Sequence, residues 1–284
     1  GQIFAAQHRR FAGRAAAGEQ AGIDHALEDA LAVLVARARV AERQRGLEAA
    51  NLGIALHPDF DYTAASFTHE DGRSEKLILA NSRIEACSAS TGFKLDAAQP
   101  TSKLKGKDLL GSEAQHPFLP RTSKIINALF VTDDAGTGAV HMAPGHGADD
   151  YIAGKEHGLD ILSPVDDAGC FTAECGLPEF VGQHVFKSNE GIIAILEGKG
   201  ALLGNEKYVH QYPHCWRSKT PIIFRAVPQF FIRIAAFRDE ALKAIDTVNW
   251  LPAWGRNRIY GTVESRPDWC ISRQRTWGVP LPIF

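Results

Sequence analysis

The spacing of apolar residues changes character near residue 50. From Asp24 to about Gln44, Leu27, Leu31, Leu34, Val35 and Ala38 recur at three- and four-residue intervals, which predicts a helix with one apolar stripe. Beyond Asn51 the apolar runs shorten and turn residues bound them. Leu52–Leu56 predicts a strand ended by His57-Pro58-Asp59, and Lys76–Ala80 predicts another. Ser82–Ser90 predicts a helix, and Phe118–Val131 mixes strand runs with turns. Between 160 and 186, Pro164, Gly169, Gly176, Pro178 and Gly182 separate short apolar pieces, the texture of a loop-rich β region. Ser188 or Asn189 can cap a helix through Ile192, Ile193, Ile195 and Leu196 that stops near Gly198 and Gly200. Pro221–Ile234 reads as extended, and helices follow at about 236–247 and 254–264. The class is mixed β and α, without regular βαβ alternation and without an internal repeat.

One stretch holds most of the candidate chemistry. Residues 136–151 read Gly-Thr-Gly-Ala-Val-His-Met-Ala-Pro-Gly-His-Gly-Ala-Asp-Asp-Tyr. Gly136 and Gly138 predict a tight turn around Thr137. Ala139–Met142 is a short apolar strand interrupted by His141. Pro144, Gly145 and Gly147 make the next backbone irregular. Asp149 and Asp150 then open a helix running through Tyr151, Ile152 and Lys155 to Gly158. This order places a histidine and a carboxylate at the mouth of a pocket walled mostly by backbone. Each part also has a plainer role. Either aspartate can serve only as an N-cap or as a favourable charge on the helix dipole, and His141 can be a satisfied core histidine. One histidine and two aspartates clustered among glycine turns favour a site.

Composition narrows the function. With 45% apolar and 23% charged residues in 284, the chain is that of a globular protein large enough for one or two domains. The formal charge of −2 shows no general attraction to nucleic acid. From Lys207 to Arg275, however, 12 Lys/Arg stand against 5 Asp/Glu, interleaved with Trp216, Phe224, Phe230, Phe231 and Trp269. Such a tract can follow a phosphate backbone or form a solvated face. No apolar run approaches the length of a membrane span. Cys87, Cys170, Cys175, Cys215 and Cys270 are odd in number and scattered, which suits a reducing cytoplasm. His210, His214 and Cys215 lie close together, but Ser218 stands where a paired cysteine would complete a zinc motif, so no metal is expected. Met142 is the only methionine, so the chain is expected to be a fragment or processed piece.

Two later segments join the 136–151 block in a resemblance. Tyr212-Pro-His-Cys-Trp-Arg-Ser-Lys-Thr-Pro-Ile-Ile-Phe-Arg-Ala-Val-Pro-Gln-Phe-Phe-Ile232 and Arg266-Pro-Asp-Trp-Cys-Ile-Ser-Arg-Gln-Arg-Thr-Trp-Gly-Val-Pro-Leu-Pro282 follow it in order. Together the three resemble the class I aminoacyl-tRNA synthetases for branched aliphatic amino acids, and within them the isoleucyl-tRNA synthetase family. The valyl and leucyl relatives usually carry Pro-Ala-His-Asp where this chain has Pro144-Gly145-His146-Gly147. The resemblance covers roughly 50–284. It implies a β-barrel-like editing domain with decorating helices, then a β-ribbon and helices leading back to a truncated nucleotide-binding core. The implied divisions are 1–46 unassigned, 47–206 editing domain, and 207–284 exit ribbon and return to the core.

The resemblance also implies roles. Asp150 matches the acid that binds the α-ammonium of a misattached amino acid, and Asp149 keeps the capping role. His141 matches the pocket-wall histidine that excludes a larger side chain, so it is a size gate and not a general base. Gly136, Thr137 and Gly138 match the substrate-binding turn. Asp150 and His141 are thus the candidate catalytic residues, for hydrolysis of valyl-tRNA(Ile) by a positioned water without cofactor. The full-length ligase would use ATP and Mg, with tRNA(Ile) and valine or isoleucine as partners, as a cytoplasmic monomer. Two departures stand out. The family's Thr-Thr-x-Pro-Trp-Thr and Leu-Pro-Ala-Asn peptide survives only as Ala50-Asn51. Residues 1–49, with fourteen Ala and seven Arg, are expected to be foreign to the family. Neither ATP-binding signature of the family is present, so no isoleucyl-adenylate is expected. The alternative is a tRNA-docking remnant without catalysis.

Overall fold

The computed structural model describes residues 45–98, 101–134, 136–204, 211–274 and 278–281. The helix expected over 24–44, His210 and both ends of the basic tract lie outside these residues. Contacts divide the chain into two compact units, which meet between Ala226 and Val227.

The first unit is built on two sheets. Strands β1 (Gly53–Leu56), β2 (Asp61–Thr68) and β3 (Ser74–Ala80) come first, then helix α1 (Ile84–Thr91). Short strands β4 (Lys94–Leu95), β5 (Ser102–Lys105) and β6 (Glu113–Gln115) follow, then β7 (Thr122–Asn127) and β8 (Ala139–Met142). One sheet has the order β6–β7–β1–β8, with β1 parallel to β7 and antiparallel to β8. In the other, β2 pairs with β3 along one edge and with β5 and β4 in turn along the other. Among the described residues the pairing does not close on itself, so the barrel-like expectation becomes two open, packed sheets.

Alternation along the strands explains the packing. Ile54, Leu56, Tyr62, Ala64, Ile78, Ile125 and Ala139 share one core cluster between the sheets. Their odd-step neighbours face outward into further cores: Ala55, Ile126 and Met142 pack with Ala153, while Ala65, Leu77 and Leu79 pack with Phe67 and Phe93. Both faces are therefore apolar, as in strands covered on two sides. Ala153 belongs to α2 (Ala148–Glu156), which covers the outer face of the first sheet.

The loop-rich region behaves as its composition predicts. Isolated bridges join Val165 to Phe171, Cys170 to His184 and Phe171 to Val181. Helix α3 (Asn189–Gly198) follows, where the capping residues and isoleucines place it. Ser188 occupies the N-cap position, but its hydroxyl bonds back to the His184 carbonyl instead of capping the helix. Phe171, Cys175, Phe180, Val185, Ile192 and Leu196 bury together with Ala49 and Leu119.

In the second unit, β9 (Phe231–Ile232) pairs antiparallel with β10 (Trp269–Cys270), a ribbon of the kind the resemblance implies. Helices α4 (Arg238–Thr247) and α5 (Gly255–Glu264) pack on each other close to the predicted bounds. No described helix is long and apolar enough to cross a membrane.

Candidate functional site

His141 enters the site from β8, paired across the ladder with Ile54 of β1. It shares the face of Ala139, two residues back, and so stands at the polar end of the inter-sheet core. Its Nδ1 lies 2.7 Å from Asn51 Nδ2 and 3.3 Å from Glu48 Oε2. Asn51 is fully buried; it donates to the Gly53 carbonyl at 3.1 Å and accepts from the Ser123 hydroxyl. Glu48 lies in a 3-10 turn, Arg45–Ala50. The turn is tied down at its end. Arg121 donates to the Ala49 carbonyl, and His116 Nε2 lies 3.1 Å from the Glu48 carbonyl oxygen. Glu48, Ala49 and Ala50 are buried. These residues are integral to the fold, within the 47–206 division.

Asp150 comes from the first turn of α2. Its Oδ2 accepts the Ala143 N–H at 2.8 Å, which links the helix start to the strand end. The helix N-cap is Gly147, with no side-chain cap bond. Asp149 is exposed in the first turn, so it supplies charge to the dipole and not the expected cap. Burial raises the Asp150 pKa, and the Ala143 N–H and His141 pull against that rise. Burial alone would lower the His141 pKa; the Glu48 carboxylate reverses this, and Asp150 adds to it, so the net direction is up. The site thus gathers a buried carboxylate, a partly buried carboxylate and a histidine held in the charged direction.

The Gly136–Gly138 turn leads directly into β8. Both glycines have positive φ, 62° and 79°. A Cβ on Gly138 would sit 2.3 Å from Ala80 Cβ, so the turn requires glycine there. Arg83 Nε and Cys87 Sγ donate to the Gly136 carbonyl, Ala80 N–H donates to Thr137 O, and Tyr62 hydroxyl donates to Gly138 O. Gly136 and Thr137 line a cavity with Phe67, Leu77, Leu79 and Phe93. Gly138 is three strand residues from His141, roughly 10 Å. The turn thus anchors β8 from behind, and no described hydrogen bond joins it to His141 or Asp150.

His146 and His116 surround the site as neutral rings. His146 Nδ1 meets the Phe224 carbonyl oxygen at 2.9 Å, and burial lowers its pKa. His116 Nδ1 accepts the Leu119 N–H at 3.2 Å, which leaves the proton on Nε2 for the Glu48 carbonyl. Burial pushes the His116 pKa from 6.5 down to about 4. The unfolded chain therefore takes up a proton near pH 6.5 that the folded ring refuses until about pH 4. Stability is fully present above that window and falls by up to about 3 kcal/mol on descending through it. Urea midpoints measured across the window should fall, and a His116→Gln variant should show a flatter slope. An equal slope in both proteins would remove His116 as the cause.

At the start of the Tyr212 segment, His214 Nδ1 meets its neighbour's Tyr212 carbonyl oxygen at 2.7 Å, not a metal-ligand set. No group of His, Cys, Asp and Glu among the described residues has metal-binding geometry. Sequence reading missed Glu48, Asn51, Ser123, His116 and Arg121. Of these only Asn51 carried a signal, as the last residue retained from the family peptide.

The sequence profile of the tRNA synthetases class I (I, L, M and V) matches residues 22–284. The chain belongs to this family. Within it, the chain is 49% identical over 235 residues to the isoleucine–tRNA ligase of Syntrophomonas wolfei subsp. wolfei, covering 83% of this chain and 24% of that protein. It is 46% identical over 237 residues to the isoleucine–tRNA ligase of Shewanella sediminis, covering 83% and 25%. The class I chain thus spans about a quarter of the length of the curated relatives it matches. Among solved structures, the GlLeuRS-CP1 crystal structure is similar at a TM-score of 0.42 and 14% identity, over 57% of this chain and 80% of that one. The P. falciparum cytosolic leucyl-tRNA synthetase editing domain is similar at 0.44 and 9%, over 57% and 77%.

Proposed function

We propose that the first unit is the editing site of an isoleucine–tRNA ligase and hydrolyses the valyl ester of tRNA(Ile). The observation that carries this reading is the Asp150 carboxylate, fixed by the Ala143 N–H just beyond the end of β8, the strand that carries His141. Asp150 anchors the substrate's α-ammonium through a charge-assisted hydrogen bond. His141 closes the pocket against the extra methylene of isoleucine. A hydrophobic synthetic pocket separates the two amino acids by only ~1–3 kcal/mol, a limit already recognised for this enzyme family, so a second and smaller site is needed. Water attacks the ester, positioned by the site and by the ribose hydroxyl at the tRNA end. Gly136, Thr137 and Gly138 contribute by fixing β8. The whole ligase takes ATP, Mg, isoleucine and tRNA(Ile), and acts as a cytoplasmic monomer.

The chain should release valine from valyl-tRNA(Ile) and spare isoleucyl-tRNA(Ile) in a single-turnover deacylation assay. Tight tRNA binding in low salt with no release of valine would instead establish a docking role. The missing threonine-rich peptide is the observation that favours that second reading.

A further inference from the structure

Two groups compete for one nitrogen of His141. The Asn51 Oδ1 is taken by the Ser123 hydroxyl, so the amide turns its N–H groups to the Gly53 carbonyl and to His141 Nδ1. An amide N–H directed at Nδ1 requires a lone pair there. The Glu48 carboxylate, 3.3 Å from the same atom, requires a proton. In both states Nε2 carries a proton, and among the described residues it has no hydrogen-bond partner. What differs is the charge on the ring. Charged groups on every side bear on this choice: Asp150 of α2 supports the imidazolium, Arg121 ahead of β7 opposes it, and His116 and His146 are held neutral.

We propose that Glu48 is a positioning residue for His141: its carboxylate accepts a hydrogen bond from Nδ1–H, keeps that proton on the ring, and so makes Nε2–H a charged donor to the acyl group of the bound ester. This rests on the hydrolytic reading above. A hydrogen bond from a charged donor is about twice as strong as a neutral one. An imidazolium alone would repel the substrate's ammonium. The carboxylate beside it cancels that charge and leaves Asp150 as the net charge the ammonium meets. With Glu48 neutralised, the ring accepts from Asn51 and loses its charge.

Glu48→Gln in the full chain tests this, with the His141 ring nitrogens followed by NMR as pH is varied. The variant ring should titrate at lower pH than wild type. Its deacylation rate should fall about tenfold near neutrality and recover as the pH is lowered. Glu48→Asp, which keeps the charge, should restore part of both and serves as the comparison if the Gln variant does not fold. Identical His141 titration in wild type and both variants would overturn the proposal. A shifted titration in chains that all fail to deacylate would keep the pairing and remove the hydrolytic reading.

Discussion

Asp150→Ala lowers kcat/KM for valyl-tRNA(Ile) deacylation about a hundredfold, the loss expected when a charge-assisted hydrogen bond to a bound cation is removed. The carboxylate has two roles to separate. One oxygen accepts the Ala143 N–H and holds the start of α2 against the end of β8. In the proposed site the carboxylate's charge also anchors the substrate's ammonium. Asp150→Asn keeps the shape and an acceptor for Ala143, and loses the charge. If the anchor is electrostatic, Asn and Ala fall together. If Asn keeps wild-type rates, Asp150 acts through the backbone tie alone. A substrate analogue with hydroxyl in place of the ammonium closes the comparison. Wild type should lose on that ester most of what the variants lose on the valyl ester, and the variants should lose little more. Rates equal to wild type in both variants would leave no Asp150-dependent hydrolase and would remove Asp150 as the anchor.

The parts of this site legible in the sequence are those whose cause is local. Ala139–Met142 forms the expected strand because a glycine turn precedes it and a Pro-Gly loop ends it. Asp149 and Asp150 open a helix as expected, and the structure leaves the first exposed and the second partly buried, a difference no local pattern announced. Capping misled, because Gly147 takes the position that a side chain was expected to fill. Strand β2 escaped notice for another reason. Its Thr63–Ala65 core is buried on both faces, so Asp-Tyr-Thr-Ala-Ala-Ser-Phe-Thr shows no polar alternation. Glu48 was illegible because its meaning depends on His141, from a strand distant in sequence. An acidic residue in an Ala/Arg-rich stretch reads as solvated until the fold buries it beside a histidine.

Gly145→Ala should destabilise the chain by about 3 kcal/mol or more, although it adds only a methyl group. Its requirement is close approach, not a left-handed backbone. A Cβ there would lie 2.0 Å from the Leu162 carbonyl oxygen and 2.7 Å from its carbon. These are backbone atoms and cannot rotate aside as a side-chain end would. The Gly145 carbonyl also accepts the Ala226 N–H at 2.7 Å, so the glycine is held on a second side. Any shift that relieves the clash must move the loop between His141 and Asp150 or the segment ahead of Val165, which is part of a buried cluster. Gly198→Ala is the matched control: nothing lies within 4 Å of its added Cβ, and it sits at the end of α3, where alanine favours the helix. Urea unfolding should show a lowered midpoint for Gly145→Ala and an unchanged or raised one for Gly198→Ala. Equal midpoints would mean that the Leu162 backbone yields freely. In that case the Pro144–Gly147 loop could not hold Asp150 and His141 in fixed register.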